Sequence, residues 1–335
     1  MRSEPRPVVV ITGGTAGVGR ATARCFAAEG AHIALLARGV DGLHATAREI
    51  AALGGKALPI RADVSDPDQV FAAAERIERE LGPIDIWINN AMTTVFGRVD
   101  QLAPEELRRV TDVTYHGYVW GTMAALGSMR PRDRGTIVQV GSALAHRAIP
   151  LQAAYCAAKH AIVGFTDALR SELLHDGSKI QITMVQLPAI NTPQFRWCEN
   201  KLGLEAQPVP PIYQPEIAAG AIHFAAYHPR REIYVGMPTV KAILGQKVAP
   251  GLLDRILAKR GFEGQTTGVP IRNPRPSNLF EPVPGDHGAH GSFELRAKRH
   301  SPAARLGAWL GAAGVNAVAV ALVAGIAVAL TRLRA

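Results

Sequence analysis

Residues 8–19, VVVITGGTAGVG, decide the fold of this chain. Val8 to Ile11 form a β-branched run typical of a buried strand, and the glycine-rich turn after it leads into an amphipathic helical pattern that ends near Gly30. Glycines allow a sharp turn and a close backbone approach, while a helix N-terminus presents unpaired N–H groups to an anion. The order strand, glycine turn, helix therefore predicts a phosphate-binding site, with a simple tight turn as the alternative.

The same order of strand and helix recurs along the chain. Apolar runs with helical patterns between them predict further strands at residues 32–37, 58–61, 84–88, 136–140, 181–186 and 234–236. Repeats of strand then helix imply a parallel sheet that helices cover on both faces. We therefore expect an α/β fold built on a doubly wound (Rossmann) parallel sheet of about seven strands.

Arg38 follows the second predicted strand, where a side chain would meet the ribose of a bound dinucleotide. An acidic residue there would accept hydrogen bonds from the ribose hydroxyls of NAD, whereas a cation suits the 2′-phosphate of NADP. The sequence therefore predicts NADP rather than NAD, and a solvated surface charge is the alternative for Arg38. Asp63, after the third strand, is placed to bond an adenine amine.

A second stretch, residues 142–159, carries acid–base chemistry. Ser142 follows a predicted strand, and Tyr155 and Lys159 lie on one face if the segment between them is helical. A phenol titrates near pKa ~10, so it needs a nearby cation if its phenolate is to form at neutral pH. Lys159 can supply that cation and Ser142 can hold a substrate oxygen, which predicts general acid–base catalysis. Tyr-x-x-x-Lys alone also occurs on ordinary amphipathic helices, so its weight comes from the glycine turn that precedes it.

Together these patterns resemble the short-chain dehydrogenase/reductase family over residues 6–240. The resemblance rests on Thr12-Gly-x-x-x-Gly17-x-Gly19, Asp63-Val64, Asn89-Asn90-Ala91, Ser142, Tyr155-x-x-x-Lys159, and Pro188 with Thr192. It implies reversible hydride transfer between a nicotinamide cofactor and a ketone or secondary alcohol. Tyr155 would be the proton donor, Lys159 would lower its pKa and hold the ribose, and Ser142 would orient the carbonyl. The cofactor contacts that it implies are Thr12, Gly13, Thr15, Gly17, Val18, Gly19, Arg38, Asp63, Val64, Asn89, Ala91, Tyr155, Lys159, Pro188 and Thr192.

Two positions depart from the family pattern. Met92 stands where the family usually has glycine, and Thr114 stands where many members have an active-site asparagine. In the family that asparagine helps hold a water through which the tyrosine and lysine exchange protons with solvent. The Thr114 carbonyl could keep the water and its hydroxyl could partly replace the amide, so Thr114 is a candidate catalytic residue. The departures also motivate a rival hypothesis, a dinucleotide-binding scaffold or redox sensor that has lost turnover.

Charge and cysteine content narrow the setting. The 335-residue chain carries a formal net charge of +9, but basic and acidic side chains nearly balance over residues 1–240. This balance disfavours nucleic-acid binding. The three cysteines have no paired spacing and the N-terminal residues leave no room for a signal peptide, which predicts a cytoplasmic catalytic domain. His287 and His290 lack neighbouring cysteines or a carboxylate cluster, so we predict no metal site.

The C-terminal region predicts a membrane anchor. After a catalytic domain at residues 1–240, residues 241–305 form a basic Pro/Gly-rich extension and connector. Residues 306–330 then form an uncharged run long enough for one transmembrane helix, with more basic residues before it than after it. We therefore expect a single-pass C-terminal anchor with the catalytic domain cytoplasmic, and a lipid-like substrate if the enzyme sits at a bilayer. The alternative is a helix buried against a second subunit of a homo-oligomer.

Overall fold

The computed structural model describes residues 6–272 and 274–300. At its centre lies a parallel sheet with strands β1 (Val8–Thr12), β2 (His32–Ala37), β3 (Lys56–Arg61), β4 (Ile86–Asn89), β5 (Thr136–Ser142), β6 (Gln181–Leu187) and β7 (Glu232–Tyr234). The strands lie in the order β3-β2-β1-β4-β5-β6-β7. Because the order reverses between β1 and β4, their carboxyl ends border the crevice where doubly wound sheets bind ligands. The predicted seven-stranded α/β fold is confirmed.

Helices cover both faces of the sheet. They are α1 (Gly17–Ala27), α2 (Val40–Ala52), α3 (Pro67–Leu81), α4 (Pro104–Thr111), α5 (Gly117–Met129), α6 (Ala153–His175), α7 (Pro215–Tyr227), α8 (Gly236–Val248) and α9 (Pro250–Arg260). Alternate residues of a strand point to opposite faces, so Val9 and Val10 of β1 lie in two separate apolar clusters. Both faces of β1 are buried, which explains why its sequence is apolar throughout.

The region after β7 differs from the predicted connector. It contains α8 and α9, and the predicted domain boundary at residue 240 falls inside α8. Ile243 of α8 packs against Tyr234 of β7, so this helix belongs to the same packed unit as the sheet. Beyond α9 the chain returns across the carboxyl ends of the strands, and we call residues 278–288 the cover segment.

No helix within residues 6–272 and 274–300 is long and apolar enough to span a bilayer. The predicted localisation as a single-pass membrane protein is therefore wrong for the part of the chain that the structure describes. Residues 306–330, on which that prediction and the alternative of a dimerisation helix rested, lie outside the described residues.

Candidate active site

A cavity of about 540 Å³ opens at the carboxyl ends of the strands, within the usual size of cofactor and substrate pockets. It extends from the glycine turn after β1 to the start of α6. Most of the predicted site residues line it: Gly13, Thr15, Gly17, Val18, Arg38, Asp63, Val64, Ala91, Ser142, Tyr155, Lys159, Pro188 and Thr192. The fold therefore brings the phosphate-binding pattern and the acid–base pattern to one cavity.

The glycine turn gives a phosphate room beside the backbone. Gly13 and Gly17 have positive φ angles of 66° and 54°, which favour glycine. A Cβ atom on Gly13 would lie 2.8 Å from the Ala91 Cα atom, and one on Gly19 would overlap the Gly13 carbonyl oxygen. The first turn of α1 carries no acidic residue, so the positive end of the helix dipole is not offset by a carboxylate of its own turn. These features fit the pyrophosphate of a dinucleotide.

Thr12, Gly19, Asn89 and Thr114 were predicted as site residues but do not line the cavity. Gly19 is needed for the close packing of α1 on the turn. The Thr12 hydroxyl accepts hydrogen bonds from the N–H groups of Asn90 and Ala91, at 2.9 and 3.1 Å, and so ties β1 to the end of β4.

Asn89 ends β4 and Asn90 follows it, and their side chains point to opposite sides. Asn89 is fully buried, accepts a hydrogen bond from Trp87 and donates one to Gln139 at 3.0 Å, so it holds the core rather than contacting the cavity. Asn90, which sequence reasoning did not single out, lines the cavity and donates to the carbonyl oxygen of Gly13 at 3.1 Å.

Ser142 and Tyr155 meet at the inner end of the cavity. Ser142 ends β5, and its N–H donates to the buried amide oxygen of Gln186 at 2.8 Å, which fixes the backbone there. The Ser142 side chain hydrogen-bonds Tyr155 in the first turn of α6. Burial raises the pKa of Tyr155 above its ordinary value, and the bond to Ser142 offsets only part of that rise. The phenol therefore keeps its proton at neutral pH.

Lys159 lies two turns into α6, and only 2% of its surface is exposed. Its Nζ atom donates to the Tyr118 hydroxyl at 2.9 Å and to the Val140 carbonyl oxygen at 2.7 Å, and lies 5.7 Å from the centroid of the Tyr155 ring. Burial lowers the pKa of Lys159 to about 7. Sequence reasoning missed Tyr118, which lies 41 residues before Lys159 in the sequence.

Thr114 lies in a π-helical turn, Asp112–His116, that joins α4 to α5. Its hydroxyl accepts from the Thr93 N–H at 3.1 Å and donates to the Thr93 carbonyl oxygen at 2.9 Å. The side chain is fully buried, so it holds the loop after β4 instead of reaching the cavity. A catalytic role for Thr114 stays a prediction.

Arg38 lines the cavity at the end of β2, and Arg109 lies behind Asp63. Arg38 donates to the carbonyl oxygens of Asn278 and Phe280, at 2.5 and 2.6 Å. Asp63 accepts from Arg109 at 2.5 Å. Although burial acts to raise the pKa of Asp63, hydrogen bonds from Arg109 and from its own turn hold that pKa below the usual range.

The substrate end of the cavity is mainly apolar. Phe195 and Trp197 line it. The cavity is also lined by the loop before α7, by α8 and by α9, through Val209, Ala242, Leu253, Ile256 and Leu257. Within the residues that the structure describes, no group of three His, Cys, Asp or Glu side chains is placed to hold a metal ion.

Comparisons with known proteins bear on the family and the fold of the chain. Residues 7–201 match the short chain dehydrogenase family. The chain is 32% identical over 284 residues to the uncharacterized oxidoreductase YxnA of Bacillus subtilis, covering 84% of this chain and 79% of that protein. It is 32% identical over 266 residues to dehydrogenase/reductase SDR family member 7B of Bos taurus, covering 76% and 81%. A crystal structure of a short-chain type dehydrogenase/reductase from Mycobacterium marinum has a TM-score of 0.59 at 29% identity, covering 68% of this chain and 93% of that one.

Proposed function

Because the chain belongs to the short-chain dehydrogenase/reductase family and is thus an NAD(P)-dependent oxidoreductase, we propose that it prefers NADP and acts on an apolar ketone or secondary alcohol. One observation carries the proposal: a single cavity joins the glycine turn to Ser142, Tyr155 and Lys159. A dinucleotide with its pyrophosphate at the start of α1 would extend along this cavity toward the phenol.

The chemistry is divided among three side chains. A bound nicotinamide cofactor supplies or accepts the hydride. Tyr155 donates its phenol proton to the carbonyl oxygen during reduction and takes it back during oxidation. Ser142 orients the same oxygen through its hydroxyl, and the Lys159 cation stabilises the phenolate. The raised pKa of Tyr155 keeps the proton on the phenol before reaction, which suits carbonyl reduction.

Arg38 supports NADP over NAD. It borders the cavity directly after β2, and a guanidinium pairs well with a phosphate. The Asp41 carboxylate, three residues further along the chain, accepts from the Gly285 N–H at 2.8 Å, so Arg38 rather than an acidic side chain stands at the end of β2.

The cofactor preference is tested by nucleotide fluorescence titrations of the Arg38→Ala variant. Charge-assisted hydrogen bonds contribute about 1.5–3 kcal/mol, so NADPH affinity should fall by about 30-fold and NADH affinity much less. An equal loss for both nucleotides would refute binding of the 2′-phosphate by Arg38.

The reaction is tested by mixing the enzyme with NADPH and ketones of increasing chain length, and with NADP and the matching alcohols. We expect turnover that improves with apolar length and is lost in Tyr155→Phe while nucleotide binding remains. Tyr227→Phe is the matched control, because Tyr227 is exposed and bonds only Glu29 among the described residues. Tight nucleotide binding without turnover on any substrate would instead favour the dinucleotide-binding scaffold or redox sensor.

A further inference from the structure

Part of the cavity wall comes from outside the family match at residues 7–201. Five residues of the cover segment line the same cavity as the glycine turn, and they are Asn278, Pro282, Val283, Gly285 and His287. Resting on the dinucleotide binding proposed above, we propose that the cover segment is the outer wall of the dinucleotide site and limits the rate at which the cofactor leaves.

At the adenosine end, two arginines hold three successive carbonyl groups of the cover segment. Arg38 binds the carbonyl oxygens of Asn278 and Phe280, and Arg109 Nε donates to the carbonyl oxygen of Leu279 at 2.9 Å. Hydrogen bonds from a charged donor are stronger than neutral ones. The segment is therefore fixed directly beside the position expected for the 2′-phosphate.

At the phosphate end, the cover segment is fixed to the glycine turn and to α1. The Gly17 N–H donates to the carbonyl oxygen of Gly288 at 3.2 Å. Asp286 forms an ion pair with Arg20, whose side chain is only 3% exposed and also pairs with Glu49. A buried guanidinium with two carboxylate partners is a rigid anchor.

Apolar contacts hold the chain near the start of the cover segment and just after its end. Leu279 is 1% exposed and packs with Val95 and Val110, while Ala289 is 3% exposed and packs against Ala21. Release of a bound dinucleotide would require the segment between these anchors to move. Opening of such a cover commonly limits release from an enzyme.

A disulfide between the turn before α2 and the cover segment tests the proposal directly. A Cβ atom on Gly39 would lie 3.7 Å from the Cβ atom of Pro282, and disulfides join Cβ atoms about 3.8 Å apart. Gly39 has φ of −81°, so a cysteine fits its backbone. We would load the Gly39→Cys/Pro282→Cys variant with NADPH, oxidise it, and follow release by stopped-flow fluorescence during displacement by excess NADP.

The oxidised variant should release NADPH at least about tenfold more slowly than its reduced form, and a reductant should restore the rate. The two single-cysteine variants control for the substitutions and for Cys25, Cys156 and Cys198, which are free in the structure. An unchanged rate in cross-linked protein refutes the proposal, and so does failure of the two cysteines to cross-link. If the wild type bound neither NADPH nor NADH, the dinucleotide site itself would be refuted with it.

A second variant removes one anchor without a cross-link. Asp286→Ala leaves Arg20 paired with Glu49 and should raise the NADPH release rate by about fivefold, a larger change than in the rate of hydride transfer in one turnover. Asp167→Ala is the matched control. Asp167 is a carboxylate of α6 with a similar exposed fraction, and it pairs with Arg231, the residue before β7, rather than with the cover segment. Equal release rates in the two variants would count against the proposal.

Discussion

The inner and outer walls of the cavity are built in different ways. The inner wall presents the side chains of Ser142, Tyr155 and Lys159, whereas the cover segment is fixed largely through carbonyl oxygens and N–H groups. A proton donor or a cation requires a particular residue type, but a carbonyl oxygen is supplied by any residue. We therefore expect inner-wall variants to change the chemical step and outer-wall variants to change cofactor exchange.

Lys159→Met should have the largest effect. Removing the cation that stabilises the phenolate should lower kcat by about 10³-fold, within the range for loss of acid–base or electrostatic catalysis. NADPH release, measured by displacement, should rise by less than kcat falls, because Lys159 would lose one contact with the ribose but its whole effect on the phenolate. A release rate that rose as much as kcat fell would show that the two walls do not act separately.

The same variant tests the charge state of Lys159 through stability. Burial lowers its pKa to about 7, so between pH 7 and pH 10 the unfolded chain binds a proton that the folded chain does not. The free energy of unfolding should then rise with pH over this window by about 3 kcal/mol, and below pH 7 this contribution should be constant. Urea unfolding of Lys159→Met should lack that rise, and identical pH profiles would contradict the lowered pKa.

Ser142→Ala should have the next largest effect. Its hydroxyl bonds Tyr155 and would orient the substrate oxygen, so kcat should fall by about 10²-fold with nucleotide affinity unchanged. Ser171→Ala is the control, since Ser171 lies on the exposed face of α6 and its hydroxyl donates to the Asp167 carbonyl oxygen of the same helix. A change in NADPH affinity without a change in kcat would place Ser142 with the cofactor instead.

The division between the walls also explains what the sequence predicts. Tyr155, Lys159 and the glycine turn follow from spacing, because each needs a specific residue type at a specific place on an element. Asn89 and Asn90 show one limit: identical neighbours on a strand end point to opposite sides, and composition does not tell which one faces the cavity. The fold itself follows from repeated strand and helix patterns.

The outer wall shows a second limit. Its contacts are main-chain carbonyls, ion pairs distant in sequence, and the short helices α8 and α9, whose glycines and prolines weaken any helical period. The composition of residues 241–305 therefore predicts a connector, although residues of α8, α9 and the cover segment line the cavity. Long-range pairs such as Arg20 with Asp286 leave no local pattern in the sequence.

Tyr118→Phe should have a moderate effect on kcat, and it tests how the inner wall positions Lys159. The Tyr118 hydroxyl accepts from Lys159 and donates to the Val140 carbonyl oxygen at 2.9 Å, so it positions the lysine rather than contacting substrate. Its loss should lower kcat by about fivefold and stability by about 1 kcal/mol. The charged form of Lys159 would lose an acceptor, so its pKa should fall further and the pH profile of kcat should shift to lower pH. A stability loss without a shifted profile would leave Tyr118 a purely structural residue.

Asp41→Ala should have the smallest effect on NADPH release, and it tests the exposed hydrogen bond between Asp41 and the cover segment. The carboxylate accepts one hydrogen bond from the Gly285 N–H at a solvent-exposed position, so NADPH release should become only about twofold faster. Because Asp41 and Asp286 hold the same segment, releasing both should speed exchange more than the product of the single effects, which the double variant measures in the same displacement assay. A slower single-turnover hydride transfer in Asp41→Ala, with release unchanged, would mean that this part of the cover segment serves the chemical step and that the two walls do not divide the work as proposed.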